Sequence, residues 1–122
     1  MKRILVVDDE AGVREIIQLS LATAAGWDVL TAVSGSEGVA IAQTEALDAI
    51  LLDVMMPNQD GVATFHQLQT DPQTAAIPVI FLTAKARLSE QQRFRELGVA
   101  GVITKPFEAQ ALVRQIRAIL NW

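Results

Sequence analysis

The sequence predicts an α/β fold: a single-domain, doubly wound, five-stranded parallel sheet with five helices. Short apolar runs rich in β-branched residues recur five times, as strands covered on both faces require. Segments of helical periodicity separate them, and capping residues fall where one pattern gives way to the other. Such alternation implies right-handed crossovers, with helices packed on both faces of one sheet.

The first run is Arg3 to Val7, and Val13, Ile16, Ile17, Ser20, Leu21 and Ala24 then recur at i, i+3 and i+4. Gly26 stands where a left-handed cap would close that helix. The second run, Val29 to Ala32, leads to Ser34 and Glu37 at capping-box spacing, although Gly35 and Gly38 weaken the helix expected up to Ala46. The third run, Ala49 to Leu52, is followed by Asp60-Gly61, a turn in which Asp60 suits the N-cap of a helix through Leu68. After the fourth run, Val79 to Leu82, Ser89 and Gln92 have capping-box spacing at the start of a helix that Gly98 would end. Its apolar residues are few, Phe94 and Leu97 with Leu88 just ahead, so little area ties it to a core and it can move cheaply. The fifth run, Gly101 to Ile103, precedes a helix carrying Ala109, Leu112, Val113, Ile116 and Leu120.

With 122 residues, 51% of them hydrophobic and 20% charged, residues 1–122 are read as one globular domain able to bury its own core. The absence of cysteine excludes disulfides, thiolate metal sites and a cysteine nucleophile. Asp8 interrupts the first apolar run too soon for a secretion signal, and no apolar stretch reaches the roughly 20 residues that span a bilayer, so a soluble, cytoplasmic protein without a membrane partner is expected. The net charge of -4 hides an asymmetry. Residues 1–84 hold eleven Asp/Glu against three Lys/Arg, whereas residues 85–122 hold three against seven. Solvated helix faces and a partner-binding surface are both compatible with the basic end.

In a sheet of this kind, ligands bind at the carboxyl ends of the strands near the point where strand order reverses. Asp8 and Asp9 follow the first run, Asp53 ends the third, Thr83 the fourth, and Lys105 comes two residues after Ile103. Three carboxylates at one edge repel one another, and a hard dication such as Mg²⁺ relieves that repulsion while keeping sites for water and phosphate oxygens. The Lys105 ammonium suits a phosphoryl oxygen or a carboxylate, and the Thr83 hydroxyl can hydrogen-bond a phosphoryl oxygen. An aspartate in such a site can act as a nucleophile and form an acyl phosphate. His66, the single histidine, and Trp27 and Trp122 are read as packing or surface residues.

The order and spacing of five motifs go further. Ile-Leu-Val-Val-Asp-Asp-Glu at 4 to 10, Leu-Leu-Asp-Val-Met-Met-Pro at 51 to 57, Asp60-Gly61, Pro-Val-Ile-Phe-Leu-Thr-Ala at 78 to 84 and Lys105-Pro106-Phe107 together resemble a response-regulator receiver domain of two-component signalling. The resemblance covers essentially the whole chain and implies the flavodoxin-like (CheY-like) version of the fold. It implies Asp53 as phosphoacceptor, Asp9 as a direct Mg²⁺ ligand, Asp8 as a carboxylate acting mainly through water, and the Met55 main-chain carbonyl as a further ligand. Thr83 and Lys105 take the places of the hydroxyl and ammonium that engage the phosphoryl group. The Lys105–Pro106 bond is commonly cis in such domains.

On that basis a sensor histidine kinase or a histidine phosphotransfer protein is the expected phosphoryl donor. A downstream protein is expected to bind the surface formed by residues 85–117, with the domain a monomer or a phosphorylation-dependent dimer. No enzyme activity is expected beyond the domain's own phosphorylation and dephosphorylation. Direct binding to nucleic acid is not expected, because the basic helices carry no recognised reading motif. No effector segment follows Trp122, so the output is expected from another protein unless the chain is part of a longer one. The alternative from within the family is a degenerate receiver that binds its partner constitutively. A small phosphatase with an aspartate nucleophile fits poorly, since Asp8 and Asp9 are adjacent and no cap domain is present. Nucleotide-binding glycine motifs are missing.

Two positions depart from the family pattern. Val102 stands three residues before Lys105, where relatives usually carry a Tyr or Phe whose rotamer follows the threonine, so that form of coupling has no ring to act through. Met55 and Lys85 would flank the path of the water that hydrolyses an acyl phosphate, and the bulky apolar Met55 predicts slow self-dephosphorylation.

Overall fold

Five strands and five helices alternate along the chain in the computed structural model, which describes residues 1–56, 59–84 and 87–122. The strands are β1 (Arg3–Val7), β2 (Asp28–Ala32), β3 (Ala49–Asp53), β4 (Val79–Thr83) and β5 (Gly101–Thr104). The helices are α1 (Ala11–Ala25), α2 (Gly35–Thr44), α3 (Gly61–Thr70), α4 (Leu88–Glu96) and α5 (Ala109–Leu120). All strand pairs are parallel, in the order β2-β1-β3-β4-β5. The chain therefore winds outward from β1 to β2, returns to β3 on the other side of β1, and continues to β5. The reversal lies between β1 and β3.

The period of two along each strand divides the core into two layers. Ile4 and Val6 pack with Ile17 and Leu21 of α1 and with Leu112, Val113 and Ile116 of α5. Leu5 and Val7 pack with Val39 of α2, Phe65 and Leu68 of α3, and Phe94 of α4. Both faces of the sheet are thus covered, which is why the strands read as continuous apolar runs. Three phenylalanines cross the second layer edge to face: Phe65 lies 5.7 Å from Phe81, and Phe81 lies 5.2 Å from Phe94. At the opposite end of the sheet from the strand carboxyl termini, Trp27 meets Trp122 edge-on at 5.4 Å, while His66 is exposed on α3.

Caps expected from the sequence are found at α1, α2 and α3. Ser34 accepts from the Glu37 amide and Asp60 from the Ala63 amide at 2.8 Å, and Gly26 adopts the left-handed conformation (φ 68°) after α1. The glycines expected to weaken α2 instead let it approach its neighbours. A Cβ at Gly38 would lie 2.7 Å from Val7 Cγ2, and one at Gly35 would run into Thr64 Oγ1. One expected cap is corrected: α4 begins at Leu88 with Arg87 at the N-cap position and no side-chain cap, so Ser89 lies within the first turn. Among the described residues Phe94 is the one buried side chain of α4, and Leu88 is 82% exposed, so the light anchoring expected of this helix is what the fold shows. Among the described residues no helix is long and apolar enough to cross a membrane.

Candidate functional site

The β1–α1 turn supplies the first group. Asp8 is fully buried at the end of β1, with its amide donating to the Ala32 carbonyl (3.2 Å). Its Oδ1 accepts the Glu10 amide at 2.9 Å and its Oδ2 accepts Lys105 Nζ at 2.8 Å. Asp9 and Glu10 are exposed beside it, and the three residues each place a carboxylate oxygen within 4.8 Å of the others. Glu10 is an addition to the expected set. It was legible only as the third acid of the Asp-Asp-Glu run.

Asp53, at the end of β3, is 2% exposed; its Oδ1 accepts the Met55 amide at 3.2 Å and lies 3.4 Å from Lys105 Nζ. The helix that follows crowds this strand end. A Cβ at Gly61 would collide with the Asp53 carbonyl oxygen and lie 2.7 Å from Val54 Cα, so the first residue of α3 must be glycine for the chain to pass. Thr83 is fully buried at the end of β4, opposite Thr104, and its carbonyl accepts the Lys105 amide at 2.7 Å. That bond holds Lys105 beside the strand end, and the Lys105–Pro106 peptide is cis.

The expected residues therefore gather at the edge where the strand order reverses, but not as a uniform carboxylate triad. Lys105 bridges Asp8 and Asp53, while Asp9 groups with Asp8 and Glu10. Arg14 was not singled out by the sequence and also belongs here: its Nη1 donates to the Asp8 carbonyl oxygen at 2.7 Å. Met55 leaves its side chain 61% exposed beside the buried Asp53 carboxylate. Lys85, expected across from Met55, lies outside the described residues. Val102 is half-buried against the Phe-rich layer.

Burial dominates the electrostatics. It pushes the Asp53 carboxyl up, the Asp8 charge pushes it further, and the attraction of Lys105 with the Met55 amide only partly offsets them, leaving the pKa at about 6. Burial also pulls the Lys105 ammonium down, but the hydrogen bond to Asp8 and the charges of Asp53 and Asp8 outweigh it, so its pKa ends above the usual value. Between them these groups form an all-oxygen donor set with one internal cation. Such a set fits a hard divalent ion, which takes carboxylates and water, and offers nothing to a soft metal.

The fold and this edge together define a class of domain, and comparison with known proteins identifies it. The response regulator receiver domain profile matches residues 4–117, and the chain belongs to that family. It is 40% identical over 120 residues to the alkaline phosphatase synthesis transcriptional regulatory protein PhoP of Bacillus subtilis, covering 98% of this chain and 49% of that protein. It is 36% identical over 121 residues to the DNA-binding dual master transcriptional regulator RpaA of a Synechocystis strain, covering 99% of this chain and 50% of that protein. The solved chemotaxis response regulator CheY4 of Vibrio cholerae superposes with a TM-score of 0.90 at 29% identity, covering 98% of each chain.

The chain spans about half the length of the curated relatives it matches. This corrects the expectation that excluded nucleic acid from the partners. RpaA is by name a DNA-binding regulator, and the charge balance and missing reading motif of these 122 residues describe only the part of such a relative that the chain matches.

Proposed function

We propose that the domain is a phosphorylation-operated switch in which Asp53 takes a phosphoryl group from a phosphohistidine of a sensor kinase or a phosphotransfer protein. The observation that carries this reading is the lysine bridge, with Lys105 Nζ 2.8 Å from Asp8 and 3.4 Å from Asp53 in a buried pocket at the reversal of strand order. An Asp53 carboxylate oxygen attacks phosphorus, the P–N bond breaks, and its electron pair returns to the imidazole. The product is an acyl phosphate. Mg²⁺ held by Asp8, Asp9, Asp53 and the Met55 carbonyl would neutralise charge on the transferring group when bound.

The chain's own residues do the rest. Lys105 already contacts the Asp53 carboxylate, so it needs only a small movement to pair with a phosphoryl oxygen in its place. Thr83, at the next strand end, supplies a hydroxyl to another oxygen. The loop beyond Thr83 and the lightly held α4 then change population between two arrangements. The domain turns over no external substrate and acts on the cytoplasmic side, where kinases supply the phosphoryl group. In a longer protein built like PhoP or RpaA, the switch would govern a transcriptional regulator, with DNA contact made outside the receiver.

Intact-mass spectrometry after incubation with acetyl phosphate tests the reading. The expected result is a single phosphoryl adduct that needs Mg²⁺ and is missing in Asp53→Asn. No adduct at any time, together with no binding of beryllofluoride, would favour a constitutive binding module.

A further inference from the structure

We infer that Arg14 is a positioning residue for the divalent-ion site, an inference that rests on the Mg²⁺ reading above. The acidic turn that would hold the ion is short, and its backbone is fixed at few points. The Asp8 amide is held by Ala32 across the sheet, whereas the Asp8 carbonyl oxygen is held by a side chain, Arg14 Nη1 at 2.7 Å. The same residue's main-chain amide donates to the Glu10 carbonyl at 3.1 Å. The Arg14 guanidinium therefore holds the Asp8 end of the Asp8-Asp9-Glu10 turn, while its amide makes the first hydrogen bond of α1 at the Glu10 end, as any residue there would.

The need for such a grip is visible in the helix. Glu10 is the N-cap of α1 but makes no side-chain cap bond, so besides the Asp8 Oδ1 bond to the Glu10 amide no side-chain cap ties the turn to the helix start. Three carboxylates with oxygens within 4.8 Å of one another push the turn apart. A guanidinium bound to the middle of this charge opposes that repulsion without occupying a carboxylate oxygen. All the side-chain donors for the ion stay available, unlike the Asp8 Oδ2 and Asp53 Oδ1 that Lys105 contacts.

Two effects of Arg14 on a bound cation have opposite sign. Ordering the turn tightens binding, whereas a positive charge nearby weakens it, and salt screens the second but not the first. The test is an NMR titration of Mg²⁺ on the amides of Asp9 and Met55, in the parent, Arg14→Met and Arg14→Lys, at low and high NaCl. The Trp27 and Trp122 indole signals, remote from the site, report that the fold is intact. Arg14→Met is expected to bind Mg²⁺ about 3- to 10-fold more weakly at both salt concentrations. Arg14→Lys, which keeps a donor on a long stem, should stay within about two-fold of the parent.

Parent-like affinity in Arg14→Met, or tighter binding that salt abolishes, would overturn the positioning role. Should Arg14→Met fail to fold, Arg14→Gln carries the same comparison with the same expected loss. A parent protein that binds no Mg²⁺ would instead overturn the underlying functional reading, so the two failures are distinct.

Discussion

Asp53 retains its proton in the folded, metal-free protein up to about pH 6, against about 3.8 in an unfolded chain. Between those values the native state binds more protons than the unfolded state. The stability this carboxyl contributes is fully present below pH 3.8 and is lost as pH rises through 6. The loss amounts to about 3 kcal/mol by the usual conversion, an order-of-magnitude figure. Asp53→Asn removes the penalty, so urea denaturation at pH 7 without metal should show a more stable variant, with the gain shrinking toward pH 4. A variant no more stable than the parent at pH 7 would mean that Lys105 already neutralises the buried charge. Met55 gives a second residue-scale prediction. Its amide donates to the 2%-exposed Asp53 and its side chain is bulky, apolar and exposed, so Met55→Asn should shorten the acyl-phosphate lifetime several-fold when decay is followed by intact mass. An unchanged decay rate would remove Met55 from the control of hydrolysis.

Among the elements, α3 and α4 make opposite use of packing. Gly61 opens α3 against the backbone of Asp53 and Val54, and backbone cannot rotate aside as a side chain could. Gly61→Ala should cost roughly 1–3 kcal/mol in denaturant unfolding and also slow phosphorylation, because the displaced strand end carries the nucleophile. A loss of stability with normal phosphorylation would show that β3 absorbs the clash without moving Asp53. Helix α4 rests chiefly on Phe94 against Phe81. Its amides should exchange with solvent well before those of α5, which buries Leu112, Val113 and Ile116. Equal protection of the two helices would deny α4 the cheap movement a switch needs.

At the scale of the molecule, what could be read from the sequence follows from what each signal encodes. Strands covered on both faces leave continuous apolar runs, so all five were legible within a residue or two, and the parallel alternation placed Asp8, Asp9, Asp53, Thr83 and Lys105 at one edge. Features that depend on close approach were not legible. Gly35 and Gly38 read as helix weakeners, whereas they accommodate Thr64 and Val7; Gly61 read as part of a turn signal, whereas it clears the Asp53 carbonyl. Arg14 carried no signal because its bond is to a carbonyl oxygen, a group present at every position. The Ser89 cap failed because Arg87 and Leu88 start α4 earlier. The nucleic-acid expectation failed for a different reason: it weighed only these residues, whereas the chain spans about half of its curated relatives, among them a regulator named as DNA-binding. Under the proposed function all these elements serve one chemical event, formation of an acyl phosphate on Asp53. The most direct measurement is to phosphorylate the protein with acetyl phosphate and Mg²⁺, reduce it with borohydride and sequence the peptides by tandem mass spectrometry. Homoserine at position 53 alone is the predicted product. Homoserine at position 8 or 9, or homoserine nowhere despite a phosphoryl adduct, would contradict Asp53 as the phosphoacceptor.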